Sequence, residues 1–275
     1  MTHLALLFNE CLGVKMRPVS LIFVFAAFAA TACENAPCSE PQKLEELHER
    51  FDERSSEWID EAAPYPLQLE KVAEKRATLR PFREKLVRGR EADTSKMIDA
   101  FVKPTPDVAT IHALVNQAQK SSMTYGWKLF ELAFDLQPLF TTEQRQLISD
   151  GMSEPPDPFS TPFLARRAID YTMFKIDADD EQKSAVAKSL SSTESKINVM
   201  LKAQHKTKMA LLANWTQRNP DLPTAKAIVQ KSSDDVTGFV HGLIDETTTL
   251  AQRFRPQQRE FVNDRLVRMK TCPTK

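Results

Sequence analysis

Glycine is scarce: six residues in a chain of 275. β-Sandwiches, barrels and phosphate-cradling loops depend on glycine at turns and close approaches, so the composition argues against all three. Net charge is absent, with 37 Lys+Arg against 37 Asp+Glu. That removes a global electrostatic case for nucleic acid as a partner. Histidine is sparse at five residues, and the four cysteines include no Cys-x-x-Cys pair. No His-x-x-x-His, Gly-x-Ser-x-Gly or Walker-type loop occurs. The expectation is therefore no enzyme, no cofactor, no metal site and no small-molecule substrate.

The residues that are present suffice for a core. Apolar residues make up 41% of the chain and charged residues 27%. Wholesale disorder is excluded at that composition, and the length suits one large domain or two modest ones.

Residues 1–32 read as a leader. Met16-Arg17 supplies a basic start, and 19–30 form a short apolar run, which makes Met16 the expected true start. Ala30-Thr31-Ala32-Cys33 resembles a bacterial lipobox, which implies lipidation of Cys33 and anchoring at the periplasmic face of an outer membrane. The same residues also satisfy an ordinary signal-peptidase site, which implies a soluble periplasmic or secreted form. Export would leave Cys38 and Cys272 as a leftover pair near the two ends. They are expected either bridged or as two free thiols.

From about residue 40 onward, apolar residues recur every three or four positions, which predicts an all-α fold. In 106–139 the stripe runs Ile111, Val115, Ala118, Ser122, Tyr125, Leu129, Leu132 and Leu136. Thr105-Pro106-Asp107 offers a capping hydroxyl, a proline at the first helical position and an acid in the first turn. A shift of 114 residues reproduces the pattern as Ala225, Val229, Ser232, Val236, Phe239, Leu243, Glu246 and Leu250, after Asn219-Pro220-Asp221. Without gaps, 106–150 and 220–264 share eleven identities in 45 positions. Unrelated sequences of ordinary composition give about three.

These matches predict two tandem helical units, each a long hairpin closed by a short C-terminal helix. The expected order is a charged helix over 33–61, a first unit over 62–152, a Pro-rich linker and connecting helix over 153–175, a second unit over 176–266 and a tail over 267–275.

The closing junctions read Phe140-Thr141-Thr142-Glu143-Gln144 and Phe254-Arg255-Pro256-Gln257-Gln258; Asp179-Asp180-Glu181-Gln182 opens the second unit. Thr141 with Gln144, and Asp179 with Gln182, have the spacing of a capping box, whereas Pro256 is placed to start its helix without a capping hydroxyl. The junctions resemble the Leu-Thr-x-x-Gln motif of the Spy/CpxP family of small helical periplasmic proteins. That resemblance implies a chaperone-like holdase for unfolded envelope proteins. It also implies, as alternatives, a regulator that binds a membrane stress sensor or a metal, or a structural envelope lipoprotein. Met123, Trp127, Phe130 and Phe134 form an extra apolar stripe, matched in the second unit by Thr237, His241, Ile244 and Thr248. It is expected to be either a client-binding face or packing between the units.

Overall fold

The structure is a computed structural model that describes Glu49, Ile59, Asp60, 62–161 and 163–271. Cys33, Cys38, Cys272, the leader and most of the expected charged helix lie outside these residues. Among the described residues the fold is all-α, with no strand. Its helices are α1 (Pro66–Ala77), α2 (Arg80–Phe101), α3 (Val108–Leu136), α4 (Thr142–Met152), α5 (Phe163–Lys175), α6 (Asp180–Trp215), α7 (Leu222–Ala251) and α8 (Pro256–Thr271). A 3-10 turn, Gln137–Leu139, joins α3 to α4.

The helix boundaries recur at the same 114-residue shift. The start of α1 and the end of α2 match the ends of α6, and the starts of α3 and α4 match those of α7 and α8. One element differs, since α1 and α2 are separate where α6 is continuous. Pro81 lies second in α2; its ring lacks an N–H and crowds the carbonyl four residues back. The matching position in α6 is Ser195, and that helix passes through. At the break, the Thr78 hydroxyl donates to the Lys75 carbonyl at 2.7 Å.

Both long helices that follow begin on aspartate. Asp107 accepts from the Thr110 amide at 3.1 Å, and Asp221 from the Thr224 amide at 3.0 Å. The cap is thus two residues later than the Thr105 expected from sequence. A carboxylate is the stronger acceptor for the exposed N–H groups and also favours the helix dipole. Lys103 donates to Asp107 at 2.8 Å. With the Thr110 bonds, that contact lowers the Asp107 carboxyl from 3.8 to about 2.

Helix α2 packs on α3, α6 on α7, and α3 runs antiparallel against α7. The α3/α7 crossing is reciprocal. Phe130 shares a cluster with Ala225 and Val229, while Ile244 shares one with Ile111 and Val115. These are the same three stripe positions with the units exchanged. At the middle, Gln119 donates to the Ser233 hydroxyl at 3.0 Å, and those two positions are themselves 114 apart. Glu246, the polar departure in the second stripe, accepts from Lys196 of α6.

The short closing helices cross over as well. Phe140, Ile148 and Met152, at and within α4, pack with Leu211, Leu212 and Trp215 at the end of α6. Val262 and Leu266 of α8 pack with Ile98 and Phe101 at the end of α2. Arg145 donates to the Gln217 carbonyl and Arg259 to the Pro104 carbonyl, each at 2.9 Å. The last carbonyls of a helix and those of the turn after it lack intrahelical donors, and a guanidinium satisfies them while complementing the dipole.

Candidate functional site

The motif residues build two amide clamps. In the first, the Thr141 hydroxyl accepts from the Gln144 amide at 3.2 Å, and Gln144 Oε1 accepts from the Thr141 amide at 3.0 Å. Gln144 Oε1 also accepts from Gln68 Nε2 at 3.1 Å, and Gln68 Nε2 donates to the Leu139 carbonyl. In the second, Asp179 accepts from the Gln182 amide at 2.8 Å, and Gln182 Oε1 accepts from the Asp179 amide at 3.1 Å. Gln182 Nε2 donates to Gln258 Oε1 at 3.0 Å and to the Arg253 carbonyl at 2.8 Å. Gln258 Nε2 donates to the carbonyls of Ile176 and Asp177 at 3.1 and 3.2 Å.

Pro256 is the first residue of α8, as its spacing implied. Arg255 nevertheless keeps half of a box, because its backbone N–H is held by Gln258 Oε1 at 2.8 Å. Ala63 and Asp177, also 114 apart, both take a positive φ (46° and 50°) beside their clamps. Glutamine suits this position because it both donates and accepts at the end of a side chain long enough to reach an adjacent turn. These groups tie helix ends together.

The apolar stripe of α3 is largely turned into the core. Phe130 is fully buried, and Met123, Trp127 and Phe134 pack against the same cluster. The Phe130 ring meets Trp127 edge-on at 5.7 Å between centroids and Phe134 at 4.6 Å. Phe130 therefore serves as packing against α6 and α7, while Met123, Trp127 and Phe134 are each partly buried. Ile244 can be smaller than Phe130 because its partner Ile111 is larger than the matching Ala225.

Large exposed side chains occur at the start of α1 (Tyr65, Leu67) and, as a group of three aromatic rings, on the connecting helix. Phe163 is 69% exposed, Tyr171 38% and Phe174 75%. The opposite face of α5 buries Ala168, Ile169, Thr172 and Met173. Arg167 sits 5.4 Å from the Phe163 ring centroid and Lys175 5.3 Å from that of Tyr171. The sequence marks this helix only as a connection, yet its aromatic residues at 163, 171 and 174 lie off the Ile169–Met173 face. Between α5 and the preceding linker, Asn198 of α6 holds both backbone groups of Phe159, and Lys208 donates to the Glu154 carbonyl at 2.7 Å. Burial lowers the Lys208 ammonium below its ordinary range.

His112 and His241, widely separated in sequence, meet across α3 and α7. Among the described residues, no group of three His, Cys, Asp or Glu side chains stands together as a metal cage, and no helix is long and apolar enough to cross a membrane. No family model, no curated protein and no solved structure matches the chain.

Proposed function

We propose that this chain is a non-catalytic, exported binding protein, a holdase-like chaperone for unfolded envelope polypeptides, with the anchor at Cys33 keeping it at the membrane. The observation that carries this reading is α5, apolar on its buried face and aromatic on its exposed one. Such a surface is what a folded monomer ordinarily avoids. Large flat rings offer contact area at low conformational cost, and the cations stacked on them keep the patch soluble. An unfolded segment mixing apolar and acidic residues fits both features. Weak contact of this kind slows aggregation and permits release without any chemical step. The resemblance of the junction motif to Spy/CpxP proteins supports the same reading.

The test is light scattering from several unrelated thermally unfolded clients, with and without the protein. Phe163→Ser with Phe174→Ser should abolish most of the suppression while the far-ultraviolet circular dichroism is unchanged, because both rings are exposed. Equal suppression by the double variant would remove α5 from this role.

A further inference from the structure

We infer that one face of α6 is a binding site for an extended polypeptide segment carrying an aromatic residue, and that the linker 153–161 lies across it as a displaceable strap. The face is the stripe Glu194, Asn198, Leu201, His205 and Lys208, which steps by four and three along one side of the helix. Its polar groups take hold of backbone. Asn198 accepts from the Phe159 amide at 2.7 Å and donates to the Phe159 carbonyl at 2.9 Å. Glu194 accepts from the Thr161 amide at 2.7 Å, and Lys208 donates to the Glu154 carbonyl at 2.7 Å. The Phe159 ring packs with Ile197 and Leu201 of α6 and with Phe239 and Leu243 of α7.

The rungs are spaced for an extended chain. From Glu194 to Asn198 the helix rises about 6 Å, and from Phe159 to Thr161 an extended chain covers about 6.6 Å. From Asn198 to Lys208 the helix rises about 15 Å, and from Phe159 back to Glu154 a polyproline-like chain covers about 15.5 Å. The linker thus runs antiparallel to α6 in matched register. A side-chain amide that pairs with both backbone groups of one residue does what a neighbouring strand does. These bonds are indifferent to the side chains of the bound segment; the pocket around Phe159 asks only for one aromatic ring.

The linker is an imperfect occupant. Residues 154–158 are exposed, and among the described residues no backbone–backbone bond holds 154–161. In the same register His205, about 10.5 Å along the axis from Asn198, falls opposite Pro156. Proline has no N–H to offer. His205 Nδ1 is buried and meets no protein partner. Burial, and then the Lys208 charge, push that ring's pKa below the ordinary imidazole value, which favours a neutral ring able to accept. A segment with an ordinary residue at this point supplies the donor. The repeat itself does not require such a face, since the 114-residue shift puts Arg80, Glu84 and Thr94 where Glu194, Asn198 and Lys208 stand.

The experiment is fluorescence anisotropy of a labelled peptide with the linker sequence 153–161, and of the same peptide carrying Pro156→Ala, titrated with the mature chain. In the parent chain the tethered linker competes at high effective concentration, so peptide binding is weak. Phe159→Ala in the chain empties the aromatic pocket and should tighten peptide binding by about tenfold or more, with circular dichroism unchanged. Should that variant lose helix content, Thr161→Pro opens the strap at Glu194 instead, and the same gain is expected. Adding Asn198→Ala should remove the gain. The Pro156→Ala peptide should bind the opened chain more tightly than the linker peptide, and His205→Ala should make the two equal. Equal binding by the parent and opened chains, absence of binding to both, or a gain that survives Asn198→Ala overturns the proposal. Equal affinity of the two peptides for the opened chain overturns the part given to His205. Peptide binding is read directly, so its outcome is separate from the suppression of aggregation at α5.

Discussion

Gln182 and Gln258 face each other amide to amide: Nε2 of Gln182 donates to Oε1 of Gln258 at 3.0 Å, and Nε2 of Gln258 donates back at 3.1 Å. Gln68 and Gln144 make the same pair 114 residues earlier, at 3.1 and 3.3 Å. Each pair sits where a long helix ends, a short one starts and the unit's first helix begins. Three helix ends with unsatisfied backbone groups are thus closed by two side chains.

Truncating a clamp exposes that arrangement. Gln258→Ala strands the Arg255 amide and the Ile176 carbonyl, leaves the Asp177 carbonyl with the Arg255 guanidinium alone, and leaves Gln182 half-paired. A loss of about 2–3 kcal/mol is expected in urea denaturation. Gln146→Ala, on the exposed face of α4, should cost under about 0.5 kcal/mol. Equal losses for the two would deny the clamp its role.

The aromatic stripe of α3 yields a second expectation. Phe130→Ala removes a fully buried ring at the crossing and should cost about 3–5 kcal/mol. Phe174→Ala, on the exposed face of α5, should change stability by less than about 0.5 kcal/mol. A small loss at Phe130 would mean that α3 and α7 are not packed through this ring.

The break between α1 and α2 can be transplanted. Ser195→Pro places in α6 the ring that α2 carries at Pro81, with no relaxed turn waiting to accept it. A loss of about 3 kcal/mol or more and a drop in circular dichroism at 222 nm are expected. Retention of parental stability would show that Pro81 is not the cause of the break.

The Asp107 cap sets an acid limit. Its carboxyl titrates at about 2 in the folded chain, below the ordinary 3.8, chiefly through the Lys103 bond and then the Thr110 bonds. A lowered folded value means that the carboxylate's stabilisation is fully present above about pH 4 and is lost as pH falls toward 2. Melting midpoints of the parent chain and of Asp107→Asn should therefore differ at pH 6 and converge by pH 2. A gap that persists at pH 2 would contradict the assignment.

Much of the fold was legible along the chain. The three–four periodicity named α3 and α7 and their buried sides. The spacings at Thr141–Gln144 and Asp179–Gln182 marked two helix starts, because a capping box is made among four consecutive residues. The 114-residue shift placed the helix boundaries of one half on those of the other. All of these are local interactions, so short stretches of sequence carry them.

Contacts between distant elements were not legible. Periodicity says that Met123, Trp127, Phe130 and Phe134 share a face, but not that α7 covers it. Nothing in the order of residues shows α4 closing on the end of α6 and α8 on the end of α2, or His112 meeting His241. A helix face is buried by whichever surface gains the most from covering it, and that competition runs over the whole molecule at once. Local pattern specifies helices and their sides; the summed burial of all of them selects which sides meet.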